Sequence, residues 1–466
     1  GGQGAAVRRL VREMRDQLQV KTGTAVQDFN GEGASKEVPT LNLKATVVDQ
    51  AGARAQNGAK VTVGQITVGK TGKASSREDS DLYGLNAGVV AFQGSRIVVN
   101  GGTVKTDAEG ASACFAWGEG AEIKASNLEI STGKDSSRGL VATDGGAIEG
   151  EGLTIDTKGA HSPAIAIGGH GGAMKLRKVQ AKAHGDDSPG IYSAGEVVAE
   201  DSAFEAYKSE AAVIDGANSL VLKNCSLKGR TDCGARLYQS YAGESGAGGA
   251  ELRLTGGSLE AKSGPLFFVT NVVAKIALDN VKLTFDSGTL VKAAVARWGA
   301  VGGNGGHVEL TAVNQTLKGN VTVDDLSDVT LKLGDGVKLT GALNRQGAAG
   351  EVNLELGKGA TWEVTADSSV DKLTCPEKSL EALKSRIKSN GRVIHYRVKN
   401  DLLNGDKIPL DFGGMLVYAA APAKKAPAAS KGKDKNDERP LARPGGNRPG
   451  FGGGLRGNLP GGFRMR

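Results

Sequence analysis

IKASNLEI at 123–130 and IEGEGLTI at 148–155 follow one template, with small or apolar residues at the first, third, sixth and eighth places and polar residues in most of the others. Working outward, the same template recurs as Ile97-Val99-Gly102-Val104 upstream and Met174-Leu176-Val179-Ala181 downstream. Val197-Ala199-Ser202-Phe204, Leu220-Leu222-Cys225-Leu227, Leu252-Leu254-Gly257-Leu259 and Ile276-Leu278-Val281-Leu283 complete eight copies. Their first positions lie 26, 25, 26, 23, 23, 32 and 24 residues apart. Residues two apart share a side of a strand, so each half of the template is a short strand with one apolar side. The three-residue step between the halves marks a bend that restarts the alternation.

A second register precedes each copy: SRGLVATDGGA at 137–147, SPAIAIGGHGGA at 162–173, SPGIYSAGEVVA at 188–199 and EAAVIDGANSL at 210–220. It supplies a third strand that ends in a Gly- or Asn-rich turn. Three short strands and their turns make a circuit of about 23–26 residues, which is one rung of a parallel β-helix. The fold class read from this is all-β, a right-handed parallel β-helix with short helical caps, right-handedness being the rule for parallel crossovers. An antiparallel sandwich does not explain an offset repeated in every copy, and a leucine-rich horseshoe needs a longer Leu/Asn template. The longer segments YQSYAGESGAGGA at 238–250 and ARWGAVGGNGGH at 296–307 should leave the helix at one corner, two rungs apart, and border one surface patch.

The domain reading is residues 1–79 as an N-terminal helix and capping strands, 80–373 as the β-helix, 374–419 as a helix-and-strand cap, and 420–466 as a disordered tail. Within the first, AVRRLVREMRDQLQ at 6–19 has a stripe of Val7, Leu10, Val11, Met14 and Leu18 opposite arginines, expected to pack on its own protein. A second helix is expected over 377–389, where Leu380, Leu383 and Ile387 form a stripe that Gly391 ends. Caps answer a physical need, since each end of the helix has an open strand edge.

Composition agrees. Of 466 residues 71 are Gly and 4% are aromatic, too little bulk for one large core and enough for a small core used repeatedly. Twelve prolines without a Gly-x-y period exclude collagen, and no 18-residue apolar run exists to form a transmembrane span. The net charge of +7 is uneven: residues 421–466 hold 11 Lys or Arg against 3 Asp or Glu, a net of +8, leaving −1 for everything else. The body is therefore no basic groove for specific nucleic-acid binding. The tail is read as an attachment element through Arg439, Arg443, Arg448, Arg456, Arg464 and Arg466.

The repeat resembles the right-handed parallel β-helices of secreted bacterial proteins, among them pectate lyases, polygalacturonases and autotransporter adhesins. SSRGLVAT at 136–143, SPGIYS at 188–193, SEAAVI at 209–214, and SGPLFFVTN with VKLTFDSGTLVKAA at 281–294 are similar to a group of bacterial secreted or surface β-helix repeat proteins, adhesin-like and autotransporter-passenger-like. The resemblance covers about residues 80–370 and implies the fold and an extracellular or cell-surface location. It leaves activity open, because this architecture carries unrelated functions.

Polygalacturonase-like enzymes order an Asn-Thr-Asp, an Asp-Asp, a Gly-His-Gly and an Arg-Ile-Lys along the chain. Gly169-His170-Gly171, Asp186-Asp187 and Arg386-Ile387-Lys388 are present, with the first two reversed and no Asn-Thr-Asp before them. Glu129, Asp156, Glu205 and Asp232 form a sparse acidic stripe read as a solvated face, and DDLSD at 324–328 lacks the Gly and Glu of a calcium loop. No cofactor, metal or catalytic set is assigned. Tyr238, Tyr241 and Trp298, at the two long segments, are the candidate binding patch. Phe267 and Phe268 should straddle the wall. Cys225 and Cys233 could bridge, with buried free thiols the favoured reading. The expected function is a structural or adhesive rod at the cell surface, contacting an anionic envelope polymer, a polysaccharide, another surface protein or a further copy of itself. The alternative is a polysaccharide-binding or -degrading lyase or glycoside hydrolase.

Overall fold

A computed structural model describes residues 23–240 and 249–426. The helix expected at 6–19, Tyr241 and the six tail arginines lie outside the described residues. Within them the chain is a right-handed parallel β-helix of three faces. Face one is a continuous ladder of 12 parallel strands that begins with Thr24–Asn30 and Gln50–Gln56 and ends with Asn320–Val323. At ~4.8 Å per strand it is about 53 Å long. Faces two and three form a second sheet folded at a corner, which the longest strands, such as Lys60–Lys70, cross without a break, and from Thr316–Lys318 onward face three continues as a separate sheet of four strands.

The eight copies of the template stack in register. Ile97, Ile123, Ile148, Met174, Val197, Leu220, Leu252 and Ile276 pair in succession on face two. Val104, Ile130, Ile155, Ala181, Phe204, Leu227, Leu259 and Leu283 do the same on face three. All but Leu283 are buried, and the core runs the length of the rod as one apolar column.

The bend in the template has a backbone cause. One residue between faces two and three takes a left-handed conformation, as at Asn127 (φ 53), Asn224 (φ 51) and Asn280 (φ 52), where Asn tolerates positive φ, and at Gly152 (φ 67). Its N–H still reaches the next rung: Asn127 donates to Glu151 and Asn224 to Thr255. One left-handed residue thus turns the chain without breaking the stack.

The serines that open the second register also stack. Ser162 Oγ accepts from Ser137 N at 3.0 Å, and Ser188 Oγ accepts from Ser162 N at 2.9 Å. Each hydroxyl donates in turn to a backbone carbonyl of the previous rung, as Ser137 does to Ala108. These buried hydroxyls satisfy backbone groups that the turn between faces three and one would otherwise strand.

Parallel stacking already includes 24–70, upstream of residue 80. The first α-helix among the described residues, α1 (Arg77–Tyr83), follows it, N-capped by Ser76. The expected helix at 377–389 is shorter, α2 spanning Leu380–Ser385 with Ser379 as its N-cap. Ile387 is not on its stripe. It leaves the helix as a face-three strand opposite Trp362 and is buried in the core. The i, i+3, i+7 spacing reflected two separate elements meeting one core. All four cysteines are free and buried, so Cys225 and Cys233 are not bridged. Burial pushes the Cys225 thiol up to about 11 and that of Cys114 to about 12.

Lys70 takes the inward place that Thr106 and Thr132 hold in later rungs. It is 1% exposed, and its amine donates to the Val47 carbonyl at 2.8 Å. Burial lowers its pKa to about 8, against the opposing pull of Asp49. The unfolded chain keeps this proton to a higher pH than the folded one, so the penalty is full below pH 8. Stability should therefore rise by about 2 kcal/mol as pH climbs through 8 toward the free-lysine value. Lys70→Met should flatten that rise in thermal melts at pH 7.5 and 10; an unchanged slope would show that Lys70 does not cause it.

Candidate functional site

Faces two and three alternate buried and exposed residues. Face one does not: Leu140–Thr143, Ala212–Asp215 and Ala235–Tyr238 are buried at every position. Its outward side is covered, and this is where side chains from several rungs converge.

Toward the N-terminal end the cover is apolar. Val90, Phe115, Val141 and Ala166 pair in one outward column, and α1 lies across it. Asp81 of α1 accepts from Arg138 at 2.6 Å, and Thr143 Oγ1 donates to the Leu82 carbonyl at 3.0 Å. Trp117 packs edge-on against Tyr83 and Phe92, and its indole N–H donates to Asp144 at 3.1 Å.

Further along, the same column becomes Tyr192, Val213, Arg236 and Phe268, flanked by a second column of Asp215, Tyr238 and Thr270. Tyr192 OH donates to Asp215 in a short hydrogen bond and lies 3.4 Å from Tyr238 OH. Asp215 also accepts from Ser240 N at 2.9 Å and Ser240 Oγ at 2.6 Å. Arg236 pairs closely with Glu210, which accepts a second bond from Ser209 Oγ at 2.7 Å. The Arg236 guanidinium lies 4.5 Å from the Tyr238 ring centre and 5.0 Å from that of Trp298. Burial, then Asp215, pushes both tyrosine pKa values up, so the phenols stay protonated. Burial works most strongly against the charge of Arg236, but Glu210 together with Tyr238, Cys233 and Tyr192 outweighs it, and the guanidinium holds its proton more firmly than a free one.

The described start of the first long segment and the second long segment border this cluster. They leave face one at the same corner, and Asn271, at the tight corner of the rung between them, links them: its amide donates to Gln239 O at 2.9 Å and its N–H to Asn304 O at 3.0 Å. Trp298 packs edge-on against Tyr238 at 4.8 Å. Of the sequence candidates, Tyr238 and Trp298 are therefore in contact. Tyr238 is fully buried and offers no face to solvent, while Trp298 is half-buried. Chemically the cluster is an anchor. The carboxylates of Asp215 and Glu210 are occupied by fixed donors, and the aromatic rings enclose the one cation between them. Asp215, Arg236 and Glu210 were not singled out in the sequence. Their signal was there: a charged residue in a strand that otherwise reads as fully apolar, as in GARLY at 234–238.

The other candidates lie apart. His170 is at the face-one/face-two turn, its N–H donating to Asp144 at 3.1 Å, Asp187 faces His161 at 3.8 Å on the opposite turn, and Arg386 is bound to Glu377 in the cap. In DDLSD, Asp324 accepts from Val295 N and Ser327 Oγ, and Asp325 from Ala349 N and Lys425 N. Those carboxylates splice neighbouring segments. The outward acids of face three do not form an acidic stripe, because they alternate with lysines: Asp156, Lys182, Glu205, Lys228 and Glu260 pair in succession. A shallow groove of about 390 Å³ on face two is lined by Arg253, Thr255, Asp279, Lys332 and Glu355 among others. Among the described residues, no three His, Cys, Asp or Glu side chains are grouped to hold a metal ion, and no helix is long and apolar enough to cross a membrane.

The chain matches no protein family, no curated protein and no solved structure. Fold and site together define its class: a β-solenoid rod whose first face is covered, among the described residues, by a strap helix and the second long segment. This is an architecture shared by structural, adhesive and carbohydrate-acting proteins.

Proposed function

We propose that the chain is a structural or adhesive rod displayed outside the cell or on its surface, held to an anionic envelope polymer by its basic tail. The observation that carries this is the pairing of outward charge. Glu151, Arg177, Glu200 and Lys223 alternate along face two, as Glu251, Lys275 and Glu309 do further on, matching the alternation of face three. In-register parallel strands bring identical positions within ~4.8 Å, so alternating sign turns repulsion into cross-rung support. The sides of the rod thus satisfy themselves, and its polar side chains serve rigidity. The likeness to secreted bacterial β-helices supports the location.

Deleting 427–466 should release the protein from envelope fragments while leaving the melting temperature within a degree or two. Retention of the full chain should fall steeply with salt, as attachment by counterion release requires. Equal retention of both forms at low salt would reduce the tail to a spacer.

The mixed-charge groove on face two favours a second reading, a glycan-acting protein. Turnover of any member of a panel of acidic and neutral glycans, with or without Ca²⁺, would put that reading first.

A further inference from the structure

On face two the charge ladder beside the corner with face three ends at Lys223. The in-register places that follow it are Thr255, Asp279 and Val313, and then Gly334 and Gly357, whose N–H groups donate to Ala312 O and Leu333 O. The neighbouring outward column runs Arg253, Ala277, Thr311, Lys332 and Glu355, and each step of it is an in-register pair. Ala277 and Thr311 in one column and the two glycines in the other are short where earlier rungs carry long side chains. The surface sinks there into the groove of about 390 Å³. Four steps of ~4.8 Å separate Arg253 from Glu355, so the groove is about 19 Å long.

The polar groups of the groove are largely left over from the fold. Asp279 and Glu355 are half-buried, and their carboxylates have no hydrogen-bond or ion-pair partner among the described residues. The hydroxyls of Thr255 and Thr311 have none either. Arg253 and Lys332 reach glutamates of the adjoining column, Glu251 and Glu309, only at 3.4 Å, beyond the usual N–H···O range. Donors, acceptors and hydroxyls thus follow one another along a straight line. Two cations stand against two carboxylates, so the groove as a whole carries no net charge.

We propose that this groove is a binding site for an uncharged glycan chain. The assignment rests on the adhesive reading of the rod and gives it a partner other than the one its tail would hold. A sugar hydroxyl both donates and accepts, so one chain can satisfy the carboxylates, the threonines and the two cations in turn. A polyanion would set its charges against Asp279 and Glu355, and a polycation against Arg253 and Lys332. A peptide that adds as a strand needs an open sheet edge, and each strand along the groove is already paired on both sides. Asp279 and Glu355 stand three rungs apart, about 14 Å. That exceeds the ~6.5–9.5 Å at which two carboxyl groups cooperate across a glycosidic bond and a water, so this pair grips the chain at two points.

The test is affinity electrophoresis of the full chain through gels carrying dextran, galactomannan, arabinoxylan or mixed-linkage β-glucan. Polygalacturonate, chitosan and gelatin serve as comparators, and salt is kept high enough to screen the tail. At least one neutral glycan should retard the chain, and more salt should leave the retardation unchanged. Ala277→Trp fills the floor of the groove and should abolish it. Val198→Trp, at an exposed place in the same column three rungs before the groove floor, should not. Asp279→Ala with Glu355→Ala should weaken binding about tenfold, while Asp279→Asn with Glu355→Gln, which keep an acceptor, should retain most of it. These positions face outward, so all the variants should melt with the parent chain. Retardation unaffected by Ala277→Trp would overturn the proposal, as would preference for any comparator or passage through every neutral gel unretarded. None of those results bears on the tail, whose attachment is read from salt-dependent retention on envelope fragments.

Discussion

Glu210→Ala is expected to destabilise the rod by about 3–5 kcal/mol, the cost of stranding one member of a buried ion pair. The side chains of Arg236 and Glu210 are 9% and 4% exposed, and the aromatic rings of Tyr238 and Trp298 shut out water that could take the place of the carboxylate. The loss comes from the abandoned charge more than from the attraction. A double variant, Glu210→Leu with Arg236→Met, should therefore recover most of it and melt close to the parent chain. Arg236→Met alone should fall between, because Glu210 keeps its bond from Ser209 and can take up a proton. Chemical denaturation of the three variants tests the scheme. A loss below about 1 kcal/mol for Glu210→Ala would mean that the pair behaves as a solvent-exposed one.

The same pair shows what could and could not be read from the sequence. The template that begins at Ile97 was legible because burial in a strand has a period of two and the left-handed corner adds one fixed step, so every copy repeats the same offset. Phe267 and Phe268 were legible for the same reason: consecutive residues point to opposite sides, and Phe267 is in the core while Phe268 faces out. Face one was harder. With both sides covered, IAIG and AVID lose their alternation, and nothing local says that α1 or an insertion returns to lie on them. Tyr238 suffered from this most directly. Its place beside an insertion suggested exposure, whereas Trp298 of the second long segment packs on it and Arg236 and Tyr192 lie against it.

Charge pairing was hidden for a related reason. Glu205 and Lys228 are 23 positions apart in sequence and adjacent in space, so a linear reading finds scattered charges where the rod has alternating ladders. Knowing the rung length makes the ladders predictable: acid and base should exchange places at each step of 23–26 residues.

Trp362→Ala is expected to cost a further large amount, about 3–5 kcal/mol, and to reveal how the rod shares its stability. Trp362 is fully buried on face three, paired with Leu339 before it and Ile387 after it, and its indole N–H donates to Gly341 O at 3.0 Å. Alanine would leave a cavity and an unpaired carbonyl; phenylalanine would keep most of the packing and lose only the hydrogen bond, about 1 kcal/mol. Stacked rungs contact only their neighbours, so the damage should stay local. Hydrogen exchange should accelerate in 361–418, where α2 and the terminal strands depend on this rung for their seat, while amides of 97–230 keep their protection. The cap would then open before the rod does, leaving an unpaired strand edge, and the variant should associate at concentrations where the parent chain does not. Uniform loss of protection along the whole chain would show instead that the rungs unfold as one unit, and that the cap holds the entire solenoid rather than its own end.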